Sequence, residues 1–391
     1  MTQMAAVTSL VTLIVLLSGC RSSPSVTTAE PPPQLPAAAH ERGVAFLVEH
    51  QNDDGSWGSF VSARPYEIYL GTLSSFRAFR DATSSLCVMA LLEPSRTDPA
   101  AMDSLQRGIE FLLAAKPTAR ATADTFYDTW THTYLVHALS LVHQDDRFAD
   151  LRERIEPALM REIETLCDRQ GAEGGWAYYD FGYAADAPTG NMSTSFNTAS
   201  ALLALHEARN AGFDVSQSVI DAGLLSLERL RLPSGAFVYG TYARLRPGAM
   251  YNRVKGSLGR SQSCNLALRV FKRDITRENL LAGLNNLREE HHFIEIGKGR
   301  PYPHEAWYAT AGYYFLYGHY HASRVIDFVE PLNREEYRTW LAATMARLQN
   351  DDGSWFDFPL YGYHKFYGTA FALLTLQHCG AGAATRIAAQ Q

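Results

Sequence analysis

Charged residues are scarce in this chain, at 19% of 391, against 46% hydrophobic residues. That balance lets a chain bury enough apolar surface to offset its conformational entropy, so disorder is excluded as its overall state. Basic blocks are missing too: Lys and Arg number 35 against 41 Asp and Glu, for a net charge of −6. A nucleic-acid-binding surface is thereby excluded, and no nucleic acid is expected as a partner. Five cysteines are too few for a disulfide scaffold. Cys87, Cys167, Cys264 and Cys379 fall in predicted helices without any CxxC spacing, so buried free thiols are expected and a Cys-rich zinc site is not.

Long apolar runs are limited to residues 4–17, too short to cross a bilayer comfortably and right for a signal-peptide core. The run ends in Leu17-Ser18-Gly19-Cys20, although no Lys or Arg precedes Cys20. This tetrapeptide resembles the lipobox of bacterial lipoproteins, which implies lipidation at Cys20; an ordinary secretory signal is the alternative. Either exports the protein. Residues 20–36, with Pro31-Pro32-Pro33, read as an extended tether, residues 37–380 as one domain and 381–391 as a tail.

What the sequence does contain is a repeat. Gln-Asn-Asp-Asp-Gly-Ser-Trp occurs unchanged at 51–57 and 349–355. A looser copy keeps Gln170, Gly174 and Trp176, and a fourth keeps Gly235 and Phe237. The aromatics at 57, 176, 237 and 355 stand 119, 61 and 118 residues apart, which is two, one and two units of about 60 residues. Eroded copies are expected near 117 and 296.

Each unit reads as loop, helix, loop, helix, with no comparable set of strands. Predicted first helices cover 83–92, 129–142, 194–208, 262–271, 309–328 and 367–377. Second helices start at caps such as Thr97 or Asp98 before Pro99, Ser216, Thr276, and Asn333 with Glu336. One of them shows its buried face in Ile220, Gly223, Leu224, Leu227 and Leu230. Residues 38–50 form a second-type helix without a first-type partner, and 367–377 the reverse, so the two ends complete each other. The expected fold is an all-α α6/α6 toroid of six closed hairpins. Within the motif, Asp54-Gly55 and Asp352-Gly353 supply a tight turn, the serine is expected to cap the next helix, and Gln51, Trp57, Gln349 and Trp355 to stack between units.

The Q-x-x-D-G-S-W signature resembles the QW repeat of squalene cyclases, shared in looser form by protein prenyltransferase β subunits. The resemblance runs from about residue 38 to 377 and is closest to exported bacterial proteins described as containing prenyltransferase/squalene-oxidase repeats. It implies an isoprenoid or other apolar or amphipathic ligand. The cyclases' D-x-D-D proton donor has no counterpart: aligned on Ala90-Leu91, the donor position is Ala82. The prenyltransferases' Asp-x-Cys…His zinc pattern is incomplete, with Gln262 two residues before Cys264 and His364 near Gly368. No metal or cofactor is expected, and Lys298-Gly299-Arg300 is not a phosphate loop.

In such a ring, the first turns of the inner helices converge on one mouth, and their free N–H groups favour an anionic or polar ligand group. The residues expected there are Thr83, Asp128, Trp130, His132, Asn191, Ser193, Asn197, Arg260, Gln262, Tyr308 and His364. Asp128 and His132, four apart on a helix, form a candidate acid/base pair, or a cap bonded to a neighbouring histidine. Arg260 is a candidate anion ligand or a surface arginine. Tyr302, Trp307, Tyr308, Tyr313, Tyr314, Tyr317 and Tyr320 crowd one unit, as ligand wall or as core. Three functions stay open: an isoprenoid-binding or isoprenoid-transforming toroid, a glycan-active lyase or hydrolase needing facing carboxylates, and a scaffold with a filled ring.

Overall fold

The computed structural model describes residues 35–63, 73–116, 126–177 and 192–381, all within one compact unit. The expected signal peptide, Cys20, most of the tether and tail, Asn191 and the loop at 117 lie outside the described residues. In chain order the helices are α1 (Pro36–Glu49), α2 (Leu73–Leu91), α3 (Pro99–Ala114), α4 (Thr129–Gln144), α5 (Arg152–Asp168), α6 (Ser195–Asn210) and α7 (Gln217–Arg229). They continue with α8 (Val254–Val270), α9 (Arg277–Glu289), the short α10 (His291–Glu295), α11 (Tyr314–Val325), α12 (Pro331–Arg347) and α13 (His364–His378). The described residues form no strand, only the isolated bridges Thr194 to Gly240 and Arg231 to Phe237.

Packing closes a ring. α2 lies against α4, α4 against α6, α6 against α8, α8 against α11, α11 against α13, and α13 against α2. The other long helices, α1, α3, α5, α7, α9 and α12, pack outside it on their inner neighbours. The fold is an α6/α6 toroid, and α1 supplies the outer helix that α13 lacks in sequence by packing on α12 and α13. Outer helices bury one face, as α7 does with Ile220, Gly223, Leu224 and Leu227. Inner helices are enclosed on all sides: every residue from 256 to 268 of α8 is buried. Small residues permit this closeness, since a Cβ on Gly318 would stand 2.5 Å from the Gly259 Cα where α11 crosses α8.

The motif welds successive units. Gln51 Nε2 donates to Gly55 O at 2.9 Å and to Ser104 O of α3 at 2.9 Å. Gln170 likewise reaches Gly174 O and Val219 O, both at 2.8 Å, and Gln349 reaches Gly353 O and Ala39 O, both at 2.8 Å. Glutamine therefore joins units by hydrogen bonds and not by stacking. Indole N–H groups of Trp57, Trp176 and Trp355 donate to Leu47 O, Leu166 O and Met345 O at 2.8, 2.7 and 2.8 Å. Each indole then covers a glycine of the next outer helix, where a Cβ would come within 2.8 Å (Gly108), 2.9 Å (Gly223) and 2.6 Å (Gly43). The last of these places the final motif on the first helix, and so closes the ring.

Some local expectations are corrected. Ser56 and Ser354 donate back to Asp54 Oδ1 (2.5 Å) and Asp352 Oδ1 (2.6 Å), closing their own turn because that carboxylate is nearer than the next helix. Asp98, not Thr97, caps α3, accepting from Ala100 N at 2.9 Å. Ser216 pairs with Ser218 at 2.8 Å in place of capping α7. α12 starts at Pro331, whose fixed φ suits a first position, so Asn333 lies within its first turn. Cys87, Cys167, Cys264 and Cys379 are free thiols; Cys379 sits one residue past α13.

Candidate functional site

A cavity of about 310 Å³ opens between five of the inner helices, α2, α4, α6, α11 and α13. On α2 the lining residues Phe79, Ala82, Thr83 and Leu86 follow the i, i+3, i+4, i+7 spacing of one helix face. Tyr127, just before α4, and Trp130 and Tyr134 add a second wall, with the Trp130 and Tyr134 rings stacked 5.5 Å apart at 8°. Phe196 from α6, Tyr313, Tyr314 and Tyr317 around the start of α11, and Tyr367 and Phe371 from α13 complete the ring. Pro303 and His304 enter from the loop before α11, and Phe358 and Leu360 from the loop before α13.

Among the described residues the wall is aromatic and uncharged. Edge contacts tie it together, such as Phe196 to Tyr314 at 5.1 Å, Tyr313 to Phe358 at 5.4 Å and Tyr317 to Phe371 at 6.1 Å. Two of the hydroxyls turn away into the protein: Tyr317 Oη meets Ser200 Oγ at 2.8 Å, and Tyr367 Oη donates to Asp357 Oδ1 at 3.0 Å. Asp357 stands behind the wall, its carboxyl pushed up to about 6 by burial, and its Oδ2 accepts from Leu316 N at 2.9 Å. That bond, and the rings above it, mask one of the helix N–H groups expected to favour an anion. His304, the one imidazole in the lining, is held by Ala309 O at 2.8 Å and Tyr313 Oη at 3.1 Å, and burial lowers its pKa. Among the described residues, no Asp, Glu, Lys or Arg lines the cavity.

Backbone strain collects in the two loops that supply His304 and Leu360 to the lining. Left-handed φ values at non-glycine residues occur at His304 (64°), Tyr308 (61°), Ala309 (52°) and Tyr361 (45°), with only Lys272 elsewhere among the described residues.

Of the residues expected at the mouth, Thr83 and Trp130 line the cavity. Asp128 and His132 do stand close, 3.6 Å between Oδ2 and Nε2, but they face α5. His132 lies two residues from both Trp130 and Tyr134, about 200° round the helix from the cavity face. There its Nδ1 meets Glu162 Oε2 at 2.7 Å, while Asp128 Oδ2 pairs with Arg169 at 2.6 Å. Burial alone would lower the His132 pKa, but hydrogen bonds and charge from Asp128 and Glu162 outweigh it and hold it at about 9. Burial likewise works to raise Asp128, and His132 and Arg169 together hold it below the usual carboxylate value. The four side chains form a buried ionic network between α4 and α5. Asp81, about 200° round α2 from the lining residue Phe79, is raised to about 7 by burial.

Arg260 is neither a surface arginine nor an open anion ligand: it is 2% exposed and donates to Phe237 O (3.3 Å), Gly256 O (2.7 Å) and Tyr251 O. Gln262 is buried against α9, donating to Gly283 O at 2.9 Å. Asn197 is buried beside Phe196, and its amide makes no hydrogen bond among the described residues. Tyr308 packs on Phe293 at 4.9 Å outside the cavity, and His364 starts α13 with its Nδ1 on Tyr361 O at 2.5 Å. The crowded aromatic unit divides: Tyr313, Tyr314 and Tyr317 are wall, Tyr320 is core against Phe371 at 5.6 Å, and Tyr302 and Trp307 are exposed. Phe79, Tyr134, Phe196, Tyr367 and Phe371 were missed as wall, although the i, i+4 pairs Trp130/Tyr134 and Tyr367/Phe371 are visible in the sequence.

Solved structures share the fold. A variant of the type II terpene cyclase MstE from Scytonema, in complex with geranylgeranyl dihydroxybenzoate, is 13% identical at a TM-score of 0.53, covering 89% of this chain and 98% of that one. An inactive variant of the α-1,6-mannanase GH76A of Salegentibacter sp. HEL1_6, in complex with α-1,6-mannotetrose, is 9% identical at a TM-score of 0.55, covering 88% and 98%. A possible member of the GH105 family from Klebsiella pneumoniae is 13% identical at a TM-score of 0.50, covering 94% and 98%. No protein-family profile matches the chain, and no curated protein matches it in sequence.

Proposed function

We propose that this protein is an exported toroid, anchored to a bacterial membrane through Cys20, that binds an isoprenoid or similarly apolar small molecule in the ring centre. The uncharged aromatic cavity carries the reading: at about 310 Å³ it lies at the small end of small-molecule sites, and apolar surface there gains by leaving water. The terpene cyclase of like fold holds a geranylgeranyl compound, which supports the ligand class by analogy of fold. Ala82, in the position of the cyclase acid, faces the cavity, so the proposed role is binding without proton donation from that helix. Glycan hydrolysis needs two carboxylates about 5–10 Å apart across the cleft, and the described lining supplies none.

Ala82→Trp tests this by filling the cavity from a lining position. Calorimetric titration with farnesol and with mannotetraose should give heat with farnesol only, and the variant should lose it while keeping the wild-type circular dichroism. Binding of the sugar instead, or farnesol binding that ignores the substitution, refutes the reading.

A further inference from the structure

Next to Tyr239, whose ring meets the lining residue His304 at 5.5 Å, runs a loop, residues 240–253, whose composition departs from the rest of the chain. It holds Arg244, Arg246 and Arg253 and no acidic residue, within a protein of net charge −6. All three arginines are exposed and make no ion pair among the described residues. Apolar side chains interleave with them: Leu245 is 94% exposed, and Tyr242 and Met250 are also exposed. The loop is built to hold them there. Buried Asn252 accepts from Tyr239 N at 2.8 Å and donates to Arg246 O at 2.9 Å, while Arg253 Nε donates to Gly248 O at 3.1 Å.

Residues 250–252 pack against 307–309, which brings Trp307, 66% exposed, beside this loop. Tyr239 connects the patch to the cavity, edge-on to His304 of the lining at 5.5 Å and to Tyr251 at 6.3 Å. Exposed leucine and tryptophan next to unpaired arginines match the chemistry of an anionic bilayer surface, in which guanidinium groups meet phosphates and the apolar side chains enter the interface. No helix among the described residues is long and apolar enough to cross a membrane.

We propose that this face docks on anionic lipid, with Arg244 and Arg246 on headgroups and Leu245 and Trp307 in the interface, so that the cavity mouth opens toward the bilayer. Contact of this kind is separate from attachment at Cys20, because a tether alone leaves the orientation of the ring unset. It is also independent of what the cavity binds.

Quenching of Trp307 by acyl-brominated lipid tests it on the full chain, since bromine reports contact and not mere attachment. Phosphatidylcholine vesicles with and without phosphatidylglycerol are compared. Expected is a loss of fluorescence in the anionic vesicles that the Trp307→Phe variant does not show. Arg244→Ala/Arg246→Ala should raise the lipid concentration for half-quenching by about 30-fold, roughly fivefold per arginine, and Leu245→Asp should also weaken it, with farnesol binding unchanged in both. Equal quenching in wild type and Trp307→Phe overturns the proposal, as does quenching indifferent to both phosphatidylglycerol and the arginines.

Discussion

Lowering the pH should unfold this protein well above the carboxylate range, because of how its histidines are buried. Burial holds His40, His137 and His378 down to about 4, and His319 and His321 to about 3, since an imidazolium there would lose its hydration. In the unfolded chain each titrates near 6.5. The folded pKa is depressed, so the stabilisation is fully present above about pH 6.5 and is lost as pH falls toward the folded values. Asp81 and Asp357 act in the opposite sense: burial raises them to about 7 and about 6, so near pH 5 the folded state holds protons that the unfolded state has released. Near pH 5 the unfolded chain gains nearly five protons on imidazoles, and the folded state keeps nearly two on these carboxyls. A net uptake of about 3 protons on unfolding corresponds to a slope of roughly 4 kcal/mol per pH unit. Urea unfolding followed by tryptophan fluorescence at pH 7.5, 6.5, 5.5 and 5.0 measures it directly. His321→Leu should flatten the slope by about one proton. A stability that stays level from pH 7.5 to 5.0 would refute the reasoning.

Other predictions concern single side chains. His132→Gln leaves Glu162 and Asp128 without their shared cation and should cost roughly 3–5 kcal/mol near neutral pH. In the wild type, the contribution of His132, complete below about 6.5, should fade by about 3 kcal/mol as pH rises through about 9, and the variant should lack that slope in urea titrations. Gly55→Ala meets both a φ of +83° and the Arg107 carbonyl, 2.4 Å from the new Cβ, and should cost roughly 2–4 kcal/mol. Gly235→Ala, at φ +80° with nothing within 4 Å, should cost only the backbone strain of about 1–2 kcal/mol. Equal shifts in their urea midpoints would show that the Arg107 contact contributes nothing.

Turn chemistry and periodicity were readable along the chain because both act locally. The glycine in a left-handed turn, the glutamine and the tryptophan sit within seven residues, and their unchanged copies at 51–57 and 349–355 fix the phase of the repeat. The buried face of α7 was readable for the same reason, since solvent on the other side imposes a period of 3.6. Inner helices offer no such contrast. When residues 256–268 are all buried, hydrophobicity alone does not tell cavity wall from helix contact. Asp128 and His132 show the difference: the spacing that puts them on one face is in the sequence, whereas only packing shows that the face meets α5 and that Trp130, two residues away, meets the cavity. Arg260 shows another, because burial turns its guanidinium onto three backbone carbonyls, one a turn back on α8 and two in the loop before it, a fold-back that the residue type alone does not encode.

Low charge and a repeat of about 60 residues were enough to determine a closed all-α ring, because buried apolar faces and repeated turn motifs are satisfied only by neighbouring units. Whether that ring is filled or hollow, and whether its mouth is polar or aromatic, was decided by tertiary structure. Those properties depend on side chains from five inner helices and two distant loops meeting at one point, which no local spacing encodes.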